Sequence, residues 1–108
     1  MKIFEIINTA NLVQEFTNKD ITLPYALRRG LKKNIATFVE EYKTFDEERN
    51  KILEDTSLSI DEQNAKIQEI LETDIQVDLV KLPENILENV DMSLKDEAIL
   101  SFMLIPEE

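Results

Sequence analysis

The stretch from Pro24 to about Asp55, PYALRRGLKKNIATFVEEYKTFDEERNKILED, constrains this chain more than any other. Its apolar residues fall at Leu31, Ile35, Phe38, Tyr42, Phe45 and Ile52, in steps of four, three, four, three and seven, and only Arg49 interrupts the ladder. Such steps hold one stripe on one side of a helix, close to the heptad period of packed helices. Pro24 suits the start, because the N–H it lacks would have no partner in a first turn. About 32 residues at a rise of about 1.5 Å make a rod of roughly 48 Å, against which the shorter segments must pack.

Charge along this rod runs against the helix dipole. Arg28, Arg29, Lys32 and Lys33 cluster in its first turns, and Glu40, Glu41, Asp46, Glu47 and Glu48 follow in its second half. Each misplaced charge costs a few tenths to about 1 kcal/mol, which packing elsewhere must absorb. Gly30, the single glycine of the chain, lies inside the same helix at a cost of about 1 kcal/mol relative to alanine. It admits a close neighbour, marks a bend, or is simply tolerated.

The flanking segments are short. Residues 1–18 place Ile3, Ile6, Ile7, Ala10, Val13 and Phe16 near helical spacing, which predicts a helix; the competing reading is a strand over Lys2–Ile7 and a helix capped by Asn8 or Thr9. Lys19–Leu23 is a connector. After a turn at Asp55–Leu58, Ser59 and Glu62 form a capping-box pattern that opens a helix to about Thr73, with Ile60, Ile67, Ile70 and Leu71 on one face. The short turn makes this helix antiparallel to the long one.

Asp74–Leu82 (DIQVDLVKL) then alternates Ile75, Val77 and Leu79 with polar residues, the period of a strand. Its partners within the chain would be Lys2–Ile7 or Ile21–Leu23; failing both, it is an extended segment or an edge for another chain. Pro83-Glu84 opens a two-turn helix anchored by Ile86, Leu87 and Val90. Ser93 with Asp96 caps a last helix from Leu94 to about Leu104, carrying Leu94, Ala98, Ile99, Phe102 and Met103, and Pro106, Glu107 and Glu108 are expected to fray. The expected fold over residues 1–108 is therefore a single, mainly α domain. A long central helix has an antiparallel helix partner and shorter C-terminal helices, with one or two short strands; a small α+β fold is the alternative.

Composition removes several classes of chemistry. With no Cys and no His, the chain lacks thiolate chemistry, the commonest metal ligand and the usual general base. One glycine excludes a phosphate-cradling loop. Ser59 and Ser93 read as caps, Ser57 as a turn residue and Ser101 as helix surface rather than as nucleophiles. The pairs Asp74/Asp78 and Glu84/Glu88 lack the loop of a calcium site. No catalytic residue, cofactor or metal is expected. No apolar run is long enough for a bilayer, and the first sixteen residues, with Glu5 early, lack the pattern of a signal peptide, so the expected compartment is the cytoplasm.

Charge is divided unevenly. Residues 1–53 hold nine Lys/Arg against eight Asp/Glu, whereas residues 54–108 hold three Lys against fifteen Asp/Glu, within a net charge of −11. That acidic half disfavours nucleic acid and anionic membranes and favours basic protein surfaces. Its candidate contact residues are Glu69, Glu72, Asp74, Asp78, Glu84 and Glu88. The basic cluster of Arg28, Arg29, Lys32 and Lys33 could hold a phosphate or an acidic partner; pairing with the chain's own acidic half is the stronger expectation.

Three stretches, LPYALRRGLKKNIATFVEEYKTFDEERNKILEDT, EQNAKIQEILETDIQVDLVKL and MSLKDEAILSFMLIPEE, follow one another in a recognisable layout. A long lysine- and glutamate-rich helix follows an L-P step, then come a short helix, an I-x-V-x-L segment and a closing helix. The layout resembles that of small phage and prophage proteins known only as domains of unknown function. The resemblance implies a helical, non-enzymatic phage protein. Two roles go with it: inhibition of a host defence protein, as anti-CRISPR proteins do, or a part in virion or tail assembly. The first expectation is an acidic inhibitor of a basic, nucleic-acid-binding host protein, without direct contact to nucleic acid or membrane. The alternative is a structural protein acting as a homo-oligomer, through the Leu31–Ile52 stripe or the edge of Ile75–Leu82.

Overall fold

The computed structural model of the chain describes residues 1–106; Glu107 and Glu108, expected to fray, lie outside the described residues. The fold is mainly α: four α-helices with one small two-stranded sheet. Helix α1 spans Ile3–Thr17, α2 spans Tyr25–Glu54, α3 spans Ile60–Leu71 and α4 spans Leu94–Leu100. Strands β1 (Leu82–Pro83) and β2 (Leu104–Ile105) pair in parallel, with Leu82 opposite Leu104. Single-turn 3-10 helices cover Glu84–Leu87 and Ser101–Met103.

The 30 residues of α2 set the length of the molecule, whose principal extents are 56 × 30 × 21 Å. α1 lies antiparallel along it. Ile3 and Ile6 meet Phe38 and Phe45 at one end, and Val13 and Phe16 meet Leu27 and Leu31 at the other. The helical reading of residues 1–18 therefore holds, and of the strand alternative only Lys2 survives, bridged antiparallel to Asp74. The Ser59–Glu62 capping box forms, with the Glu62 N–H donating to Ser59 Oγ at 3.1 Å. Gln63 on α3 then donates from Nε2 to the carbonyls of Ile52 and Leu53 at 3.2 and 3.3 Å, at the end of α2, where the Ile52 carbonyl also accepts the capping Asp55 N–H.

The buried seam of α2 is offset from the apolar ladder. It runs through Leu27, Gly30, Leu31, Asn34, Phe38 and Phe45, while Ile35 and Ile52 are half-buried and Tyr42 is 42% exposed. The stripe expected to pack against other copies is thus largely core.

Asp74–Leu82 is extended, as its alternation requires, but it joins no ladder beyond the Lys2–Asp74 bridge and β1. Ile75, Val77 and Leu79 turn inward onto the cluster around Phe38, and Gln76 and Asp78 face out. Backbone bonds to the N-terminus hold its start, the Ile75 N–H donating to the Met1 carbonyl at 2.9 Å and the Ile3 N–H to the Thr73 carbonyl at 3.1 Å. Farther along, a side chain anchors it: Asn34 accepts from the Val80 N–H at 2.7 Å and donates to the Val80 carbonyl at 3.1 Å. Neither Lys2–Ile7 nor Ile21–Leu23 supplies a paired strand. Val80 can come this close because Gly30 lies beneath it; a Cβ there would sit 3.0 Å from Val80 Cγ1. Gly30 admits a close neighbour.

The C-terminal segments close the other side. Leu87, Leu100 and Met103 are buried against α1 and α2, and Phe102 lies 5.5 Å from Phe38, centroid to centroid, joining the two halves of the core. The expected two-turn helix after Pro83 is a single 3-10 turn, and the last helix stops at Leu100, because the chain must straighten to pair Leu104 with Leu82. Leu94, counted among the apolar residues of that helix, is 84% exposed at its first position.

Candidate interaction surface

Each acidic residue singled out from the sequence is exposed. Glu69 and Glu72 stand at the C-terminal end of α3, where the dipole disfavours negative charge and no basic residue lies in the last turn. Glu72 accepts from Gln68 Nε2 at 3.1 Å, a neutral partner. Asp74 follows, 3.0 Å from the amino group of Met1, then Asp78 on the outer face of the extended segment. Glu84 and Glu88 occupy the 3-10 turn and the residue after it. None of Glu69, Glu72, Asp78 or Glu88 has a cation within ion-pair distance among the described residues.

The fold brings part of this set together. Glu84 and Glu88 rim an open groove of about 780 Å³ with Glu97, across a floor that includes Leu87, Val90 and the exposed Leu94. Glu97 was not singled out in the sequence, since only the parallel pairing of β1 and β2 draws α4 up to the 3-10 turn. Glu69 and Glu72 are not part of this groove. Its chemistry, carboxylates around an apolar floor, suits a basic segment that carries an apolar side chain.

The basic cluster departs from the sequence expectation. Among the described residues, none of Arg28, Arg29, Lys32 or Lys33 forms an ion pair with the acidic half. Arg28 instead donates from Nε to the Leu23 carbonyl at 3.1 Å and covers the Tyr25 ring. The reason is position: the acidic half passes α2 on the Gly30–Asn34 side, and the cluster points elsewhere. Arg28 and Lys32 rim a groove of about 400 Å³ whose floor is Phe16, Ile21, Leu23, Leu31 and Ile35.

The pairing between halves is made by the Met1 amino group with Asp74 and by Lys19, both outside the cluster. Lys19 makes the more buried contact. Its Nζ donates to Asp96 Oδ1 at 2.6 Å, tying the connector after α1 to the start of α4. That hydrogen bond, with a smaller one from Ser93, holds the Asp96 carboxyl below the usual carboxylate range against the opposing effect of burial. Asp96 is 5% exposed, and its N–H also donates to the capping Ser93 Oγ.

Ser59 and Ser93 are engaged as caps, and Ser101 Oγ donates to the Ala98 carbonyl. Ser57 donates to Asp55 Oδ1, which together with the Ser57 N–H lowers the Asp55 pKa. Among the described residues no group of three or more acidic side chains is arranged to hold a metal ion, and no described helix is long and apolar enough to cross a membrane. Comparison with protein-family models, with curated proteins and with solved structures finds no match to the chain in any of the three.

Proposed function

We propose that the protein acts by binding rather than by catalysis, docking its acidic half on a basic, nucleic-acid-binding protein and so inhibiting it. The resemblance of its layout to small phage proteins supports taking the cytoplasm of an infected cell as the setting and a host defence protein as the partner. One observation carries the reading: among the described residues Glu69, Glu72, Asp78 and Glu88 are exposed and have no cation within ion-pair distance, and the first two stand where the α3 dipole disfavours them. Carboxylates kept there do little for the fold and present a field that a phosphate-binding groove would accept.

The test is affinity capture from a bacterial lysate at about 100 mM and about 500 mM salt, repeated with a variant carrying Glu69→Lys, Glu72→Lys and Asp78→Lys. A basic nucleic-acid-binding protein should be held at the lower salt, released at the higher and displaced by added oligonucleotide. The variant should fail to hold it. Lysines in the last turn of α3 favour the helix, so lost binding would not be lost folding. Retention of the same partner by the variant, or at the higher salt, overturns the reading.

A further inference from the structure

A second seam, separate from the buried one, runs along the open side of α2. Tyr25, Lys32, Val39, Asp46 and Leu53 are spaced seven residues apart over its whole length. Heptad spacing keeps them on one slowly turning stripe. All are accessible: Tyr25 is 69% exposed, Val39 59% and Leu53 51%, Lys32 is exposed, and the Asp46 side chain, which accepts from Arg49 one turn on, retains 36%. Ile35 and Tyr42 flank Val39 on the same side.

The stripe is complementary to itself when reversed. Read about Val39 it is apolar, cationic, apolar, anionic, apolar. Laid antiparallel on a second α2, Tyr25 faces Leu53 of the other copy, Lys32 faces Asp46, and Val39 lies on the two-fold axis. A parallel arrangement would set Lys32 against Lys32 and Asp46 against Asp46. α2 itself carries seven Lys/Arg and six Asp/Glu, so this face escapes the repulsion that the net charge of −11 imposes elsewhere. The antidipolar charge order, cations early and anions late, is not compensated by the acidic half. A reversed copy of the same helix would compensate it. A recess of about 200 Å³ between α1 and α2, lined by Ala10, Gln14, Thr17, Ile35 and Val39, adds an apolar floor beside the stripe.

We infer that the protein pairs with a second copy of itself through this face of α2, as a two-fold antiparallel dimer. The acidic groove at Glu84, Glu88 and Glu97 is built from other elements, so this pairing stands independently of the binding role proposed above. In a two-fold contact each substitution acts twice.

The experiment is sedimentation equilibrium of the full chain, with helicity followed by circular dichroism. The expected mass is twice 12.6 kDa. Lys32→Glu alone and Asp46→Lys alone should each weaken the dimer by about tenfold or more, and the combined exchange should restore it. Val39→Asp should give a helical monomer. A monomer at every concentration up to the millimolar range overturns the inference, as does a dimer indifferent to the single charge reversals or one that the combined exchange fails to restore.

Discussion

Asn34 and Val80, 46 residues apart, are joined by two hydrogen bonds that together satisfy the backbone of Val80, within an extended segment otherwise held at its two ends: Asn34 Oδ1 accepts from the Val80 N–H at 2.7 Å, and Nδ2 donates to its carbonyl at 3.1 Å. Asn34 is 1% exposed, so both bonds form in the core. The side-chain amide does here what a neighbouring strand would do in a sheet, offering one donor and one acceptor in one plane.

Removing that amide should therefore cost more than one hydrogen bond. Asn34→Ala leaves both polar groups of Val80 without a partner in the core, and we expect about 2–4 kcal/mol of lost stability in urea titration. Hydrogen exchange at the Val80 amide should accelerate in step. Asn34→Asp keeps the acceptor, loses the donor and buries a charge, so its loss should exceed that of alanine at neutral pH. Equal stability of wild type and Asn34→Ala would show that the clamp contributes nothing.

Gly30 and Val80 form a tight contact whose energetics a double-mutant cycle can isolate. Alanine at position 30 should gain up to about 1 kcal/mol in helix propensity, yet its Cβ would stand 3.0 Å from Val80 Cγ1 and 3.3 Å from Met103 Cε. We expect Gly30→Ala to destabilise the wild-type background and to stabilise the Val80→Ala background, a change of sign measured by chemical denaturation. Additive effects would mean that Val80 is not what requires the glycine.

The Lys19–Asp96 contact should appear as an acid-side dependence of stability. The Asp96 pKa is lowered in the folded chain, chiefly by the Lys19 hydrogen bond, so the unfolded chain binds the proton more readily. The contribution of the pair is present above the ordinary carboxylate pKa and is lost as pH falls through the lower folded value. Thermal denaturation between about pH 6 and about pH 2 should show wild type and Lys19→Met converging at the acid end. A constant difference between them would remove the ion pair as its source.

Much of the architecture is legible locally. The four, three, four steps of α2, the Ser59–Glu62 box and the Ser93 cap are patterns within a few residues, set by helical period and by helix-end N–H groups that need acceptors. The alternation of Ile75, Val77 and Leu79 likewise fixed an extended, half-buried segment. Its partner could not be read there, because a strand pattern specifies a need for hydrogen bonds and not their source. The sources were three: the backbone of residues 1–3 at its start, β2 at its end, and at Val80 one asparagine, whose polar character hides it from any search for apolar seams. The exposed acids could be recognised one by one, whereas the groove that gathers Glu84, Glu88 and Glu97 could not.

The three longer helices, the Ser59 and Ser93 caps, the extended segment and the division of charge are properties of neighbours along the chain and can be read there, whereas the 3-10 turn after Pro83 and the early stop of α4 at Leu100 follow from the pairing of β1 with β2. Tertiary structure alone decided which face of α2 is buried. Packing on α1 from one side and on residues 75–82 from another selects the seam through Leu27, Asn34 and Phe38. That choice leaves the Tyr25, Val39 and Leu53 stripe outside. A helix with apolar residues on two adjoining stripes can bury either. The one buried is the one whose small and polar residues, Gly30 and Asn34, match the shape and the hydrogen-bonding groups of what lies against it.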